Sequence, residues 1–408
     1  MLLLLPSLAT AAERLSRVDA VSAALLQNAE LLAAKEELGT SEGELLRARL
    51  LLTANPSLSL DYGSDRLFEG EGRSRFGIGL SQELQLAGKQ RLRERRALAR
   101  QAGARARIDA QLLRLARDAS DGWFALWRAE RLQELSASAL ELNRALQKAA
   151  ASRFKAGDIP ELERNVVDVD TLRAEAGLAE ATAAVARSAA ELGRLMGAAV
   201  TTPVVDEAAP LLAVRPLEDL LKLARERRPE LLVAQANEEA FGDEVALQER
   251  ERIPNPVLGV AFERDQHLTP DIPRESLLSA RLSVELPAWD RKQAEIRSAQ
   301  ASRGAAKLSA DAARQQIEAE VRAAFASLEG ARRAVEIYEA TLPPVKRNLE
   351  LLEKAFGAGE IGLADLIAAK DRAFAARRES IEARASHGRA FDELMRATGR
   401  LPSSGAAR

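Results

Sequence analysis

Few side chains in this 408-residue chain are suited to covalent or metal chemistry. There is no cysteine, and the only histidines are His267 and His387. Disulfides and thiolate catalysis are therefore excluded, and a zinc site of the usual Cys/His type has no ligand set. The methionines Met1, Met196 and Met395 are too scattered for a soft-metal relay. No glycine-rich phosphate loop, nucleophile triad or cluster of metal ligands is visible, so the sequence points to no enzyme, no cofactor and no bound metal. Two acids stand out by position: Glu163 and Asp365 each lie six residues past a glycine, Gly157 and Gly359. A lone acid on a helix is ordinarily a solvated surface charge. Carboxylates gathered around an axis would instead repel one another, favour cations and disfavour anions.

The elements that position those acids are long helices. Lys+Arg (59) nearly balance Asp+Glu (61), so no basic excess argues for nucleic acid. Only 4% of residues are aromatic although 47% are apolar. Alanine, leucine, glutamate and arginine dominate, as in coiled coils. Residues 1–12 form a short apolar run with an Ala-x-Ala ending, Ala9-Thr10-Ala11, and read as a signal peptide cleaved near Ala11 or Ala12. No segment has ~20 uninterrupted apolar residues, so no helix is expected to span a bilayer.

The chain repeats itself at an offset of about 200 residues. Glu30-Leu31-Leu32 matches Glu230-Leu231-Leu232, and Asn55-Pro56-Ser57-Leu58 matches Asn255-Pro256-Val257-Leu258. Two residues further out of register, Leu80-Ser81-Gln82-Glu83-Leu84 matches Leu282-Ser283-Val284-Glu285-Leu286, and Phe154-Lys155-Ala156-Gly157-Asp158-Ile159 matches Phe356-Gly357-Ala358-Gly359-Glu360-Ile361. The reading is two copies, 13–200 and 217–400, joined by a linker over 201–216 and followed by a flexible tail, 401–408.

Each copy opens with a helix, Val18 to Leu52 or Leu217 to Arg252, stopped by Asn-Pro. A hairpin follows over about 56–84 or 256–286, where apolar and polar residues alternate as in strands with one greasy face. The greasy face carries Leu58, Leu60, Ile78, Leu80, Val260, Phe262, Leu282 and Val284, with Leu282 expected near the middle of a bilayer. A very long helix comes next, about 89–154 or 291–356, with Pro343-Pro344 expected to interrupt and kink the second. At 1.5 Å per residue each is about 100 Å long. A turn and a return helix, about 160–196 or 363–398, complete the copy. Trp123, Phe124 and Trp127 read as interhelical packing. Four strands cannot close a barrel, and open edges in lipid leave backbone groups unpaired at several kcal/mol each. Three chains would share twelve strands.

This order of helix, Asn-Pro, hairpin, long helix, Ala-Gly-acidic turn and return helix resembles the TolC family of outer-membrane efflux proteins over about residues 15 to 400. Asn55-Pro56, Gln82-Glu83-Leu84, Gly88-Lys89, Asn255-Pro256, Glu285-Leu286-Pro287 and Asp290-Arg291 are most similar to its heavy-metal branch. The resemblance implies a mainly α protein with a small β part: a homotrimer whose 12-stranded β-barrel in the outer membrane continues into the periplasm as an α-helical barrel. It implies a periplasmic adaptor, an inner-membrane pump of the RND type and outer-membrane lipid as partners, and passive export of small solutes such as heavy-metal cations. It makes Ala156, Gly157, Asp158, Ala358, Gly359 and Glu360 the adaptor-docking tips, and places Glu163 and Asp365 at the periplasmic aperture. The turns depart from the family's Val-Gly-Leu pattern, which bears on adaptor choice. Two alternatives share the sequence features, a component of type I protein secretion and a soluble coiled-coil scaffold.

Overall fold

The computed structural model describes residues 14–65, 73–205, 215–266 and 275–402. The expected signal peptide, His267 and the prolines of its loop, the middle of the linker and the last residues of the tail lie outside them. The elements run α1 (Arg17–Gln27), α2 (Ala29–Arg49), β1 (Ser57–Ser64), β2 (Ser74–Glu83), α3 (Lys89–Ala156) and α4 (Glu161–Met196). They continue as α5 (Leu217–Arg227), α6 (Pro229–Glu251), β3 (Val257–Gln266), β4 (Glu275–Ser283), α7 (Gln293–Ala358) and α8 (Leu363–Ala397). Two compact units draw on both halves of the sequence: Lys35–Arg107 with Glu230–Ala313, and Met1–Ala34 with Ile108–Pro229 and Arg314–Arg408.

The first of these units holds one four-stranded antiparallel sheet in the order β1-β2-β3-β4. Lys89, 2% exposed, ties the strand ends to the helices. Its ammonium donates to the Ile253 carbonyl at 2.6 Å and to Asn255 Oδ1 at 2.9 Å, and pairs with Glu251 at 3.1 Å. Asn255 in turn donates to Glu83 at 2.7 Å. The Asn-Pro of the second copy thus supplies an acceptor that satisfies a buried charge as well as a stop signal.

In the second unit the opening helix of each copy differs from the single helix expected. It breaks at Asn28 (ψ 121°) and at Arg228 (ψ 117°). Pro229 causes the second break, because it lacks a donor and drives the residue before it into extended backbone. Asn28 achieves the same by capping: its Oδ1 accepts from the Leu31 amide at 3.1 Å while its Nδ2 donates to the Leu195 carbonyl at 3.1 Å. The break admits another turn of chain. Gly197 and Gly399 adopt φ of +71° and +74°, and a Cβ on them would sit 2.8 Å from the carbonyl oxygens of Gln27 and Arg227.

The apolar core of this unit centres on Trp123, Phe124, Leu126 and Trp127 of α3, packed with Ala20, Leu192, Met196, Val204 and Ala385. Trp123 and Phe124 meet edge to face at 5.1 Å, and Trp123 Nε1 donates to the Leu15 carbonyl at 2.9 Å. Beside them Asp392, wholly buried, accepts from Arg17 at 2.9 Å and from the Ser120 hydroxyl. Burial pushes its carboxyl up to about 6 even against Arg17. Arg17 also donates to the Pro402 carbonyl at 2.9 Å, so one charge pair ties both ends of the described chain to α3 and α8. His387 is buried on α8 as a packing residue, and burial lowers its pKa.

Helix α3 has 68 residues and α7 has 66. The expected interruption at Pro343-Pro344 does not occur, since α7 runs through both prolines. They remove the bonds to the Glu339 and Ala340 carbonyls. Tertiary contacts hold the turn: Val345, Leu349 and Leu352 join an apolar cluster with Leu146, Val167, Leu363 and Leu366, and Arg384 of α8 pairs with Glu339 at 2.9 Å.

Gly197→Ala and Gly399→Ala should each cost ~1–3 kcal/mol, because both the left-handed backbone and the nearby carbonyl oppose a Cβ. Gly39→Ala, in α2 with nothing within 4 Å of an added Cβ, should be neutral or stabilising. Urea unfolding midpoints of the three variants check this; equal midpoints would show that the backbone relaxes freely at both positions.

Candidate functional site

Directly paired residues of an antiparallel sheet point to the same side, so the register sorts the faces. One side carries the rows Leu60, Ile78, Phe262, Leu278 and Leu58, Leu80, Val260, Ala280. Tyr62 with Phe76 extends them at one end, and Leu258 with Leu282 at the other. The large apolar residues of this side are 39% to 72% exposed. The opposite side reads Ser57, Ser81, Gly259, Arg281, then Ser59, Gly79, Ala261, Ser279, then Asp61, Gly77, Glu263. Leu277 is an apolar exception there. Arg75 and Asp265 face each other on the same side, joined at 2.8 Å. Two fully apolar rows, flanked by one that also carries Arg264 and Ser276 and one that also carries Gln82, span about 20 Å at two residues per row, close to the ~25 Å apolar band of membrane barrels.

Of the expected lipid-facing residues, Leu58, Leu60, Ile78, Leu80, Val260, Phe262 and Leu282 share this apolar side. Val284 does not belong to it as a strand residue, because β4 ends at Ser283. Pairing there stops where β3 begins at Val257, opposite Ser283, and leaves no ladder for the next residue. Leu282 lies in the row nearest the helices rather than at mid-band, where Ile78, Leu80, Val260 and Phe262 sit.

The turns are built alike. Helix α3 continues two residues past Phe154, and Gly157 follows at φ +80°; Gly359 follows α7 at φ +78°. The Gly157 amide donates to the Phe154 carbonyl at 3.0 Å and the Asp158 amide to Arg153 at 2.9 Å. The Gly359 and Glu360 amides repeat the pattern onto Phe356 and Ala355 at 3.1 and 2.9 Å. Both are Schellman caps, which use a left-handed residue to satisfy the last carbonyls. Ala156, Gly157, Asp158, Ala358, Gly359 and Glu360 are all exposed. The sequence reading missed what joins them. Arg153 donates to the Phe356 carbonyl at 3.1 Å with its guanidinium 4.4 Å from the Phe356 ring, and Arg164 lies 4.7 Å from the Phe154 ring. The equivalent phenylalanines signalled these contacts, but which arginine covers each ring depends on how the helices pack.

Glu163 is half-buried in the first turn of α4, and Asp365 is exposed in the first turn of α8. An acid there is stabilised by the helix dipole. Neither has a basic partner among the described residues; neighbouring Arg164 is directed to Glu161 at 3.4 Å and Asp168 at 3.8 Å. Deeper in the same unit, buried Lys370 donates to Asn143 Oδ1 at 2.7 Å, a polar link that spacing alone does not reveal. Among the described residues no three His, Cys, Asp or Glu side chains gather into a metal-binding group, and no helix is long and apolar enough to cross a membrane.

The chain is mainly α-helical, with helices of 68 and 66 residues, and its one small antiparallel sheet has a greasy and a polar face of the kind membrane β-barrels use. Residues 220–400 match the outer membrane efflux protein family. Over 375 residues the chain is 25% identical to the cobalt-zinc-cadmium resistance protein CzcC of Cupriavidus metallidurans, covering 90% of this chain and 86% of that one. The fold superimposes on CusC with a TM-score of 0.79 at 14% identity, over 97% of this chain and 96% of CusC. It superimposes on the outer membrane protein VceC of Vibrio cholerae with a TM-score of 0.77 at 15% identity, over 94% and 96%. The family match covers the second half of the chain, and the likenesses to CzcC and CusC run over most of its length. The protein is an outer-membrane channel of the tripartite efflux type that reaches into the periplasm, a passive duct rather than an enzyme.

Arginine in the middle of the apolar band should cost more than arginine at its edge. Val260→Arg should lose ~2–4 kcal/mol of stability in lipid vesicles, and Leu282→Arg should lose ~0–1 kcal/mol. Unfolding of the vesicle-inserted variants checks the ordering; equal losses would show that the band is misaligned with the bilayer.

Proposed function

We propose that this channel works as a homotrimer, closed by three copies of the four-stranded sheet, and that it discharges heavy-metal cations delivered by an RND-type pump through a periplasmic adaptor. The observation that carries the trimer is the pair of open edges, β1 and β4, on a sheet whose outer face suits lipid. Unpaired edge groups in hydrocarbon cost several kcal/mol each. Two copies would make a cramped eight-stranded barrel filled by its own side chains, whereas twelve strands leave a lumen for the serine- and glycine-rich face. In the same reading, residues 13–200 and 217–400 are copies of one unit. The exposed, rigidly capped tips at Gly157 and Gly359 meet the adaptor.

The metal assignment draws on the likeness to CzcC, whose name describes cobalt, zinc and cadmium resistance. Glu163 and Asp365 give it a physical rationale. Two acids per chain become six around a threefold axis, and such a ring favours cations. Because neither acid is neutralised by a neighbour, the field at the mouth is not cancelled locally.

Light scattering of the detergent-solubilised protein should give the mass of three chains, and a monodisperse monomer that still inserts in lipid would overturn the trimer. In planar bilayers, Glu163→Gln with Asp365→Asn should lower cation selectivity, most strongly at low salt where screening is weak. An unchanged reversal potential across a salt gradient would reduce both acids to surface charges that stabilise their helices.

A further inference from the structure

The sheet-bearing unit contains a cleft of about 260 Å³ lined by Arg47, Arg93, Arg96 and Arg100 together with Glu44 and Thr53. Four guanidiniums share this space with one carboxylate. Arg96 is paired with Glu244, and Arg100 reaches Glu44 only at 3.7 Å. Arg93 donates to the neutral Gln85, and its Nε is buried without a partner. Burial lowers the pKa of Arg93; nearby Glu251 and Glu83 oppose that shift, and Arg96 adds to it. Arg47 has no acidic partner among the described residues. Helix α3 also begins with Lys89, Arg91 and Arg93 and has no acid in its first turn. That order opposes the helix dipole, which favours negative charge at an N-terminus. Guanidiniums outnumbering carboxylates in one cleft, beside a helix N-terminus that already favours negative charge, suit an anionic ligand.

The second half of the chain provides an internal control. An equivalent cleft, 200 residues on along α6 and 202 along α7, is lined by Glu244, Gln248, Glu295, Ser298 and Ser302. Glu295, Ser298 and Ser302 stand where the first cleft has Arg93, Arg96 and Arg100. The fold produces the hollow in both halves, and only the first is basic. The arginines are therefore not required by packing.

The surroundings identify the anion. Thr53 of the cleft follows directly on Leu50, Leu51 and Leu52, all exposed, the middle one by 75%. The other strand–helix junctions at this end of the sheet expose Leu86, Ile253, Leu286 and Trp289, the last by 91%. Tryptophan and leucine flanked by arginine are the composition of a membrane–water interface, and arginine forks match phosphate oxygens in pairs. Resting on the reading that the apolar band faces lipid, we infer that the cleft binds the phosphodiester headgroup of an anionic phospholipid in the leaflet nearer the helices. Arg47, Arg93 and Arg100 hold the phosphate, and its acyl chains lie beside Leu50–Leu52. The first half of each chain would hold one such lipid.

The test uses delipidated full-length protein and short-chain phosphatidylglycerol, phosphatidylcholine and inorganic phosphate as titrants, with binding followed calorimetrically. Phosphatidylglycerol should bind saturably, and Arg47→Gln with Arg100→Gln should weaken it about tenfold for each charged hydrogen bond lost. Arg47→Lys with Arg100→Lys should retain most of the affinity, which separates charge from folding. Equal phosphatidylglycerol affinity in the glutamine variant would overturn the site. Inorganic phosphate binding as tightly as the lipid would overturn the lipid assignment. Insertion into pure phosphatidylcholine vesicles, scored by flotation, should be the same for wild type and variants. Failure of the wild type to insert there would instead overturn the membrane reading itself.

Discussion

Hydrocarbon offers no hydrogen bonds, so every backbone amide and carbonyl at membrane depth must be satisfied by protein. Much of the architecture follows from that constraint. Four strands satisfy their inner neighbours and leave β1 and β4 open at the flanks, which a monomer in lipid could not sustain. One side of the sheet is largely apolar, with Gln82, Arg264 and Ser276 confined to its end rows, while the other is mainly serine, glycine and paired charge such as Arg75 with Asp265. The faces follow from register, because a slip of one residue in any strand would move its apolar set to the opposite face.

Away from lipid the constraint changes to packing very long helices that have few aromatic residues. Among the described residues, most of the buried apolar ones are alanine and leucine, and the buried aromatic ones are Trp123, Phe124 and Trp127. There Gly388 makes way for Phe124, since a Cβ at that position would fall 2.1 Å from the ring. Polar anchors then set the register between helices: Arg17 on Asp392, and Lys370 on Asn143. Each is a buried charge or near-charge whose partner must be correctly placed, so each penalises sliding of one helix along another more sharply than alanine contacts do.

Charge also distinguishes the halves. The strand–helix junction of the first half collects arginines that the matching cleft of the second half lacks. At the turns the halves agree: both end in a Schellman cap, and both start the return helix with an acid in its first turn.

The order of elements and the alternation of the strands were legible in the amino-acid sequence, because each depends on local periodicity and on glycine and proline. Gly157 and Gly359 could be read as helix ends for the same reason: only a left-handed residue completes that cap, and glycine adopts it at least cost. The sequence also placed seven of the eight named lipid-facing residues on one side of the sheet, since period two does not depend on partners. Tertiary structure decided the rest. It ended β4 before Val284, moved Leu282 to the edge of the band, and carried α7 through Pro343-Pro344 by packing Val345 and Leu349 into a cluster. It also broke the opening helix at Asn28, where the capping side chain reaches a carbonyl 167 residues away. These outcomes depend on which groups meet across the fold, and the pairing of Arg153 with Phe356, or of four arginines around one cleft, exists only once distant segments lie side by side.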